Sequence, residues 1–281
     1  LKILVVGARG MLGSDLMRSL GTAHQVVGAD IEDFDITEQE ATVSALRAIR
    51  PQWVVNVAAY TQVDRCEEEV GRAFQVNAEG VKHLAMASRQ IGATLLQMST
   101  DYVFDGKTQQ PYGEEDPPSP LSVYGRSKLK GESYVQDLLE DYVIVRSGGL
   151  YGRGGVNFVN TIIKTAREKS ELGVVNDQWV APTYTVDLSG AIGALLTLSP
   201  KGIFHVVNGG RCTWYQCACK ILELVESKSR VVPISTQELN RPAPRPAFSV
   251  LNGERFTTLT GVQLRSWEEA LTEYLSLPKG V

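Results

Sequence analysis

Aliphatic runs alternate along this chain with longer segments in which apolar residues return every three or four positions. Lys2-Ile3-Leu4-Val5-Val6 is the first run. A β-branched run with no polar alternation predicts a strand buried on both faces. Residues 25–29, 53–55, 94–98 and 142–146 read as further strands, and the periodic segments up to Leu20 and at 38–49, 67–91 and 123–137 read as helices. Strands that alternate with helices predict an α/β fold built on a parallel, doubly wound sheet. After Arg146 the pattern loosens into a helix over 157–169, a strand at 172–175, a helix over 185–198, a strand at 203–207 and a helix opening at Trp214. Prolines and charges mark 111–120 as a surface loop and 241–246 as a stiff basic one.

The first strand runs directly into Gly7-Ala8-Arg9-Gly10-Met11-Leu12-Gly13. Gly7 permits a tight turn, Gly10 lets the backbone approach a pyrophosphate, and Gly13 lets helix and strand pack closely. The free N–H groups of the helix start, around Met11 and Leu12, face the phosphates. The three glycines alone are unspecific; between the first strand and the first helix they predict a Rossmann-type dinucleotide site. Asp30 ends the second strand, where an acid accepts hydrogen bonds from ribose hydroxyls and favours NAD. Arg9 argues the other way, since it can meet a 2′-phosphate, so the sequence leaves NADH and NADPH open. Thr37 is placed to cap the following helix, with Asp35 and Ile36 near an adenine. Ala58, Ala59 and Tyr60 follow the third strand as a loop along the cofactor. Asn77 is a polar residue in an apolar helical stretch; it reads either as a partner of nearby backbone or as a cofactor-side group.

Thr100 stands at the end of the fourth strand. Tyr124 and Lys128 are four apart in a helical segment and share a face. A phenol beside an ammonium is a proton-donor arrangement, because the positive charge favours phenolate and lowers its pKa. Gly7, Asp30, Asn56 and Thr100 all fall at strand carboxyl ends, where doubly wound sheets bind ligands. Residues 1–150 therefore read as the dinucleotide-binding domain, with 184–200 packing back onto it. Residues 151–183 and 201–281 read as a smaller C-terminal α/β substrate-binding part lying over that edge.

Composition narrows the partners. The 281 residues are 43% hydrophobic and 21% charged, with a net charge of -4 and a pI of about 5.6. Nothing in that balance favours a nucleic acid or an anionic membrane. The apolar runs are shorter than a membrane span, and no leader precedes the first strand, so the expected location is cytoplasmic. Cys66, Cys212, Cys217 and Cys219 form no Cys-x-x-Cys pair and read as free thiols. His24, His83 and His205 show no metal-ligand spacing, and no metal is expected.

The glycine loop, Ala58-Ala59-Tyr60-Thr61-x-Val63-Asp64, the run from Ser99 through Asp101 and Tyr102 to Gly106, and Tyr124-x-x-x-Lys128 together resemble the extended short-chain dehydrogenase/reductases. Within them the chain resembles the dTDP-4-dehydrorhamnose reductase family. The resemblance continues through Asn157-Phe158, Asn176-Asp177-Gln178, Ala181-Pro182-Thr183, Trp214 and Arg245-Pro246, nearly the whole chain. It implies reduction of the 4-keto group of dTDP-4-dehydro-L-rhamnose by NADPH or NADH. Tyr124 would protonate the carbonyl oxygen and Thr100 would hydrogen-bond it. Lys128 would hold the nicotinamide ribose and lower the Tyr124 pKa. Val63, Thr100, Asp101 and Tyr102 would line the sugar site. Asn157 belongs to the same implied substrate site, as do Trp214, which reads as core before ligand contact, and Arg245, which suits a diphosphate or carboxylate and reads equally as an ordinary solvated arginine. A homodimer is a family expectation. Two departures concern substrate packing: Gly149 stands where the family commonly has a tryptophan, and Val180 replaces a usual glycine. Two other readings stay open. One is a non-catalytic NADP-binding subunit like the β-subunit of methionine adenosyltransferase. The other is a nucleotide-sugar epimerase or dehydratase, though Thr100-Asp101-Tyr102 lacks the Thr-Asp-Glu run of dehydratases.

Overall fold

The computed structural model describes residues 1–277. Its first half runs β1 (Lys2–Val6), α1 (Met11–Leu20), β2 (Gln25–Ala29), α2 (Gln39–Ile49), β3 (Trp53–Asn56), α3 (Val63–Glu68), α4 (Val70–Phe74), α5 (Gly80–Ile91), β4 (Thr94–Thr100), α6 (Val123–Leu138) and β5 (Tyr142–Ser147). The second half runs β6 (Leu150–Tyr151), α7 (Phe158–Glu168), β7 (Glu171–Val175), β8 (Trp179–Val180), β9 (Thr183–Tyr184), α8 (Thr185–Leu198), β10 (Gly202–His205), β11 (Cys212–Thr213), α9 (Trp214–Leu224), β12 (Arg230–Ile234), α10 (Thr236–Leu239), α11 (Glu254–Thr260) and α12 (Trp267–Ser276).

Six strands form one parallel sheet in the order β10-β5-β4-β3-β1-β2. Alternate side chains of each strand face opposite layers. Ile3 and Val5 meet α1 and α8 through Leu12, Leu16, Ile192 and Leu195. Leu4 and Val6 point to the other layer, where Leu46, Leu84 and Val135 come from α2, α5 and α6. Both faces are thus covered, which is why these strands read as unbroken apolar runs. The remaining strands pair in twos: β7 with β12, β8 with β11, and β6 with β9. Around them α7, α9 and α12 close a separate apolar cluster that includes Tyr151, Tyr184, Ile221 and Trp267.

Four details differ from the sequence expectation. The strand expected at 203–207 spans Gly202–His205 and joins the main sheet rather than the second part, because Ser199 turns left-handed (φ 50°) after α8 and returns the chain alongside β5. The helix expected over 67–91 starts at Val63 and is broken. A π-helical turn at Gln75–Glu79 widens it where Asn77 turns inward, and such turns recur at functional sites. Thr37 does not cap α2. Glu38 holds that position without a side-chain bond, while Thr37 N donates to Asp35 Oδ1 at 2.8 Å. The fourth strand continues past Met98, making Thr100 its last residue. The four cysteines carry free thiols, three of them buried. No helix among the described residues is long and apolar enough to cross a membrane.

Candidate active site

The glycine loop is held from both sides. Gly7 has φ +85°, and a Cβ there would stand 2.7 Å from Ala58 N, so β1 and the loop after β3 meet with no room for a side chain. A Cβ on Gly13 would stand 2.1 Å from Gly7 O, so α1 can pack this closely only with glycine. Gly10 is the N-cap of α1 and has no side-chain cap. Arg9 and Gly10 are exposed, and Met11 half so. An open helix N-terminus with unpaired N–H groups suits a pyrophosphate, so these residues fit a dinucleotide.

Around this loop the other predicted cofactor residues take distinct positions. Asp30 is half-buried at the end of β2, its Oδ2 accepting Arg9 N at 3.0 Å. Asp35 turns the chain at Thr37, and Ile36 is buried against Gly80 of α5. Ala58 and Ala59 are half-buried, Ala58 directly beside Gly7. Asn77 is 1% exposed and fully used inside the protein. It accepts Tyr60 N at 2.8 Å and donates to Tyr60 O and Ser127 Oγ, both at 3.0 Å. It fixes the Ala58–Tyr60 loop against α6 rather than facing the cleft.

At the centre of the edge, Thr100 from β4 meets Tyr124 from α6, and Lys128 follows one turn later on the same helix. Ser122 caps α6 by accepting Gly125 N at 3.1 Å, which sets where Tyr124 enters the first turn. Thr100 lies within hydrogen-bonding reach of the Tyr124 phenol. Thr100 also donates to Asp101 Oδ1 at 2.9 Å. Tyr102 packs edge-on to Tyr124, with ring centroids 6.1 Å apart. Lys128 is buried and donates to Met98 O at 2.7 Å. Burial lowers its pKa to about 8, opposed by Glu132 one turn further along the helix. The sequence expects Lys128 to lower the phenol's pKa. Here burial dominates and pushes Tyr124 above its ordinary value, with the Thr100 hydrogen bond the main opposing influence. Burial also raises Asp101 to about 6, against hydrogen bonds from Ser249 and Thr100.

Beside this centre lies a cavity of about 400 Å³. Tyr102, Arg241 and Arg245 line one part of it, and Phe158 and Trp214 another, their ring centroids 4.4 Å apart. Val63 opens α3 nearby, half-buried. Asn157 caps α7 by accepting Asn160 N at 3.0 Å, donates to Gly152 O at 2.9 Å, and reaches Met11 Sδ at 3.7 Å. It therefore touches the start of α1 from the second half. A larger cavity, about 600 Å³, runs along residues 205–211 and 250–257 and contains none of the sequence-predicted site residues.

Asp64 is the residue that sequence reasoning passed over. Its Oδ1 accepts Arg245 Nη1 at 2.8 Å and Ala243 N at 3.2 Å, and its Oδ2 accepts Arg241 Nη1 at 3.0 Å. Burial opposes the charge, but those bonds hold its pKa down at about 2. Arg245 also bonds the Tyr102 side chain. The only sequence signal is the position of Asp64 within Thr61-x-Val63-Asp64.

Comparison with known proteins gives one consistent result. The model of the RmlD substrate binding domain family matches residues 1–278. The spore coat polysaccharide biosynthesis protein SpsK of Bacillus subtilis is 42% identical, covering 98% of this chain and 96% of its own. A dTDP-4-dehydrorhamnose reductase of Streptomyces griseus is 44% identical, covering 96% and 91%. A dTDP-4-keto-6-deoxy-D-glucose reductase of Streptomyces niveus is 38% identical, covering 98% and 96%. Among solved structures, a dTDP-4-dehydrorhamnose reductase of Clostridium acetobutylicum superposes with a TM-score of 0.95 at 42% identity, covering 98% of each chain. One from Bacillus anthracis, in complex with NADP, gives 0.94 at 38% identity, covering 97% and 98%. With a dinucleotide loop, a Thr/Tyr/Lys centre and an adjoining cavity on one sheet edge, the chain belongs to the RmlD family of dTDP-4-dehydrorhamnose reductase-like oxidoreductases.

Proposed function

We propose that this chain reduces the 4-keto group of a dTDP-linked 4-dehydro-6-deoxysugar, with dTDP-4-dehydro-L-rhamnose as the first candidate. The observation that carries the reading is the meeting of the Thr100 hydroxyl and the Tyr124 phenol beside a cavity bordered by Tyr102 and Arg245, with the buried Lys128 one turn further along α6. The reduced nicotinamide cofactor supplies the hydride. Gly7, Gly10, Met11, Leu12 and Gly13 hold its pyrophosphate, and Ala58, Ala59 and Tyr60 lie along it.

Tyr124 gives its proton to the carbonyl oxygen as charge develops there. A raised pKa keeps the phenol protonated at neutral pH, so the acid is present when needed. Lys128 stabilises the phenolate that is left, and keeps its charge up to about pH 8. Thr100 donates to the same oxygen once its hydroxyl proton turns from Asp101 Oδ1, which accepts it in this structure. Arg245, with Arg241, takes the diphosphate, and Val63 and Tyr102 border the sugar.

A relative 38% identical is named for a second sugar, dTDP-4-keto-6-deoxy-D-glucose, the C3/C5 epimer. Gly149 has φ +60°, and a Cβ there would stand 3.0 Å from Val180 Cγ2 and 3.1 Å from Pro182 Cα, so there is no space for the tryptophan that the family resemblance expects. Both sugars are therefore candidates.

The test is oxidation of NADH and NADPH with each sugar, for the parent and Tyr124→Phe. The expected result is turnover with one sugar that falls at least about 10²-fold in kcat in the variant, with KM little changed. Full activity in Tyr124→Phe, or cofactor binding with neither sugar reduced, removes the reading.

A further inference from the structure

The turn after β2 carries more negative charge than a ribose contact requires. Asp30 ends the strand, and Glu32, Asp33 and Asp35 follow within five residues. No lysine or arginine occurs from residue 30 to residue 46. The only basic residue of the glycine loop is Arg9. Its guanidinium is turned onto this acidic turn, with Nη1 on Glu32 Oε2 at 2.7 Å and Nη2 at 3.7 Å from Asp33 Oδ2. Its backbone N–H donates to Asp30 Oδ2 at 3.0 Å. Asp33 Oδ2 in turn accepts Asp30 N at 2.9 Å, and Asp30 Oδ1 accepts Ile31 N at 3.0 Å. The turn is therefore a closed network of three carboxylates around one arginine.

We infer that this chain selects NADH over NADPH, and that Glu32 and Asp33 set the choice by holding Arg9 on the acidic turn and leaving no cation for a 2′-phosphate. The inference rests on the nicotinamide-dependent reading only for the identity of the ligand. Asp30 accepts a ribose hydroxyl, which is neutral. A 2′-phosphate brings close to two negative charges at neutral pH to a turn that already has a net charge of its own sign. Arg9 is 62% exposed in its side chain, and an ion pair so exposed is individually weak. Arg9 can leave Glu32. Its departure, however, strips from Glu32 and Asp33 the only counter-charge among the described residues, just where the phosphate arrives. The discrimination comes from this sum, which a lone acid at the strand end does not provide. The Bacillus anthracis relative is a complex with NADP, so the shared backbone admits the phosphate, and in this chain the side chains of the turn decide.

The experiment measures dissociation constants of NADH and NADPH by quenching of protein fluorescence, with no sugar present, at low and high salt. The parent should bind NADH at least tenfold more tightly than NADPH, with the ratio shrinking as salt screens the turn. In Glu32→Gln/Asp33→Asn the ratio should move at least fivefold towards NADPH. The asparagine side chain keeps a carbonyl to accept Asp30 N. Should the pair of changes prevent folding, Glu32→Gln alone alters one exposed side chain and should move the ratio in the same direction. Equal affinities in the parent, tighter NADPH, or a ratio unmoved in both variants overturns the inference. If the binding preference is found but no sugar is reduced, the substrate reading fails and the inference stands. If neither cofactor binds, both fall.

Discussion

Asp101 is held where its charge is disfavoured. The residue is 3% exposed, and its carboxyl lies against Gly148, where an added Cβ would stand 2.5 Å from Cγ. Burial raises its pKa to about 6 despite hydrogen bonds from Ser249 and Thr100. Because the folded value exceeds the unfolded one, the folded protein binds this proton more tightly. The stabilisation is complete below about pH 4 and is lost as pH rises through 6. An offset of about two units corresponds to about 3 kcal/mol. Asp101→Asn should therefore be more stable than the parent at pH 8, by up to about 3 kcal/mol, and equal to it near pH 4. Urea unfolding at the two pH values checks this, and a gain of the same size at both would show that the carboxyl charge is not the cause. The cost has a use at the site, because Asp101 Oδ1 fixes the rotor of Thr100. The same variant should therefore lose activity while gaining stability at pH 8, the trade expected of a functional group.

At the scale of elements, one contact that joins the two halves of the cleft is the grip of α3 on the 241–246 loop. Asp64 collects two guanidinium groups and one backbone N–H, from residues 177 to 181 positions away. Arg245 is thereby oriented in advance, which would lower the ordering cost of binding the proposed nucleotide diphosphate. Asp64→Asn keeps the shape and removes the charge. It should raise KM for the nucleotide sugar about tenfold, leave kcat within about threefold, and be partly rescued by Asp64→Glu. A fall in kcat with KM unchanged would assign Asp64 to the chemistry instead. This contact also shows what a sequence hides. Tyr124 and Lys128 are legible because a spacing of four fixes a shared helix face whatever the tertiary structure. The glycine loop is legible because its demands are local. Asp64 and Arg245 are joined by a fold, and no periodicity records a partner so distant. The π-helical turn at Asn77 is hidden for a related reason: its widening serves the Tyr60 loop and α6, which lie elsewhere in the chain.

At the scale of the molecule, the order of strands in the sequence separates from their order in space at one place. β1 to β5 lie within the first 147 residues, but β10 and the helix that covers one face of the sheet arrive later. The hydrophobic pattern makes the parallel sheet legible, since each strand is buried on both sides. It does not say which helix covers which face. Leu188, Ala191, Ile192, Leu195 and Leu196 of α8, with Phe256 of α11, pack on Val5, Met98, Val143 and Val145. A chain ending at residue 150 has the glycine loop, Thr100, Tyr124 and Lys128 and keeps α1 on that face, but it uncovers the part that α8 and α11 bury. Burying one such aliphatic side chain contributes about 1.5–3 kcal/mol, and a domain has only about 5–15 kcal/mol of net stability, so losing several is not tolerated. The 1–150 fragment should therefore bind a hydrophobic dye and unfold without a cooperative transition. The whole chain should melt in one step and move to higher temperature with added cofactor, since a ligand bound only by the folded state stabilises it by mass action. A fragment that melts cooperatively and binds the cofactor would show that the first 150 residues are an independent domain, with α8 an added layer rather than part of the core.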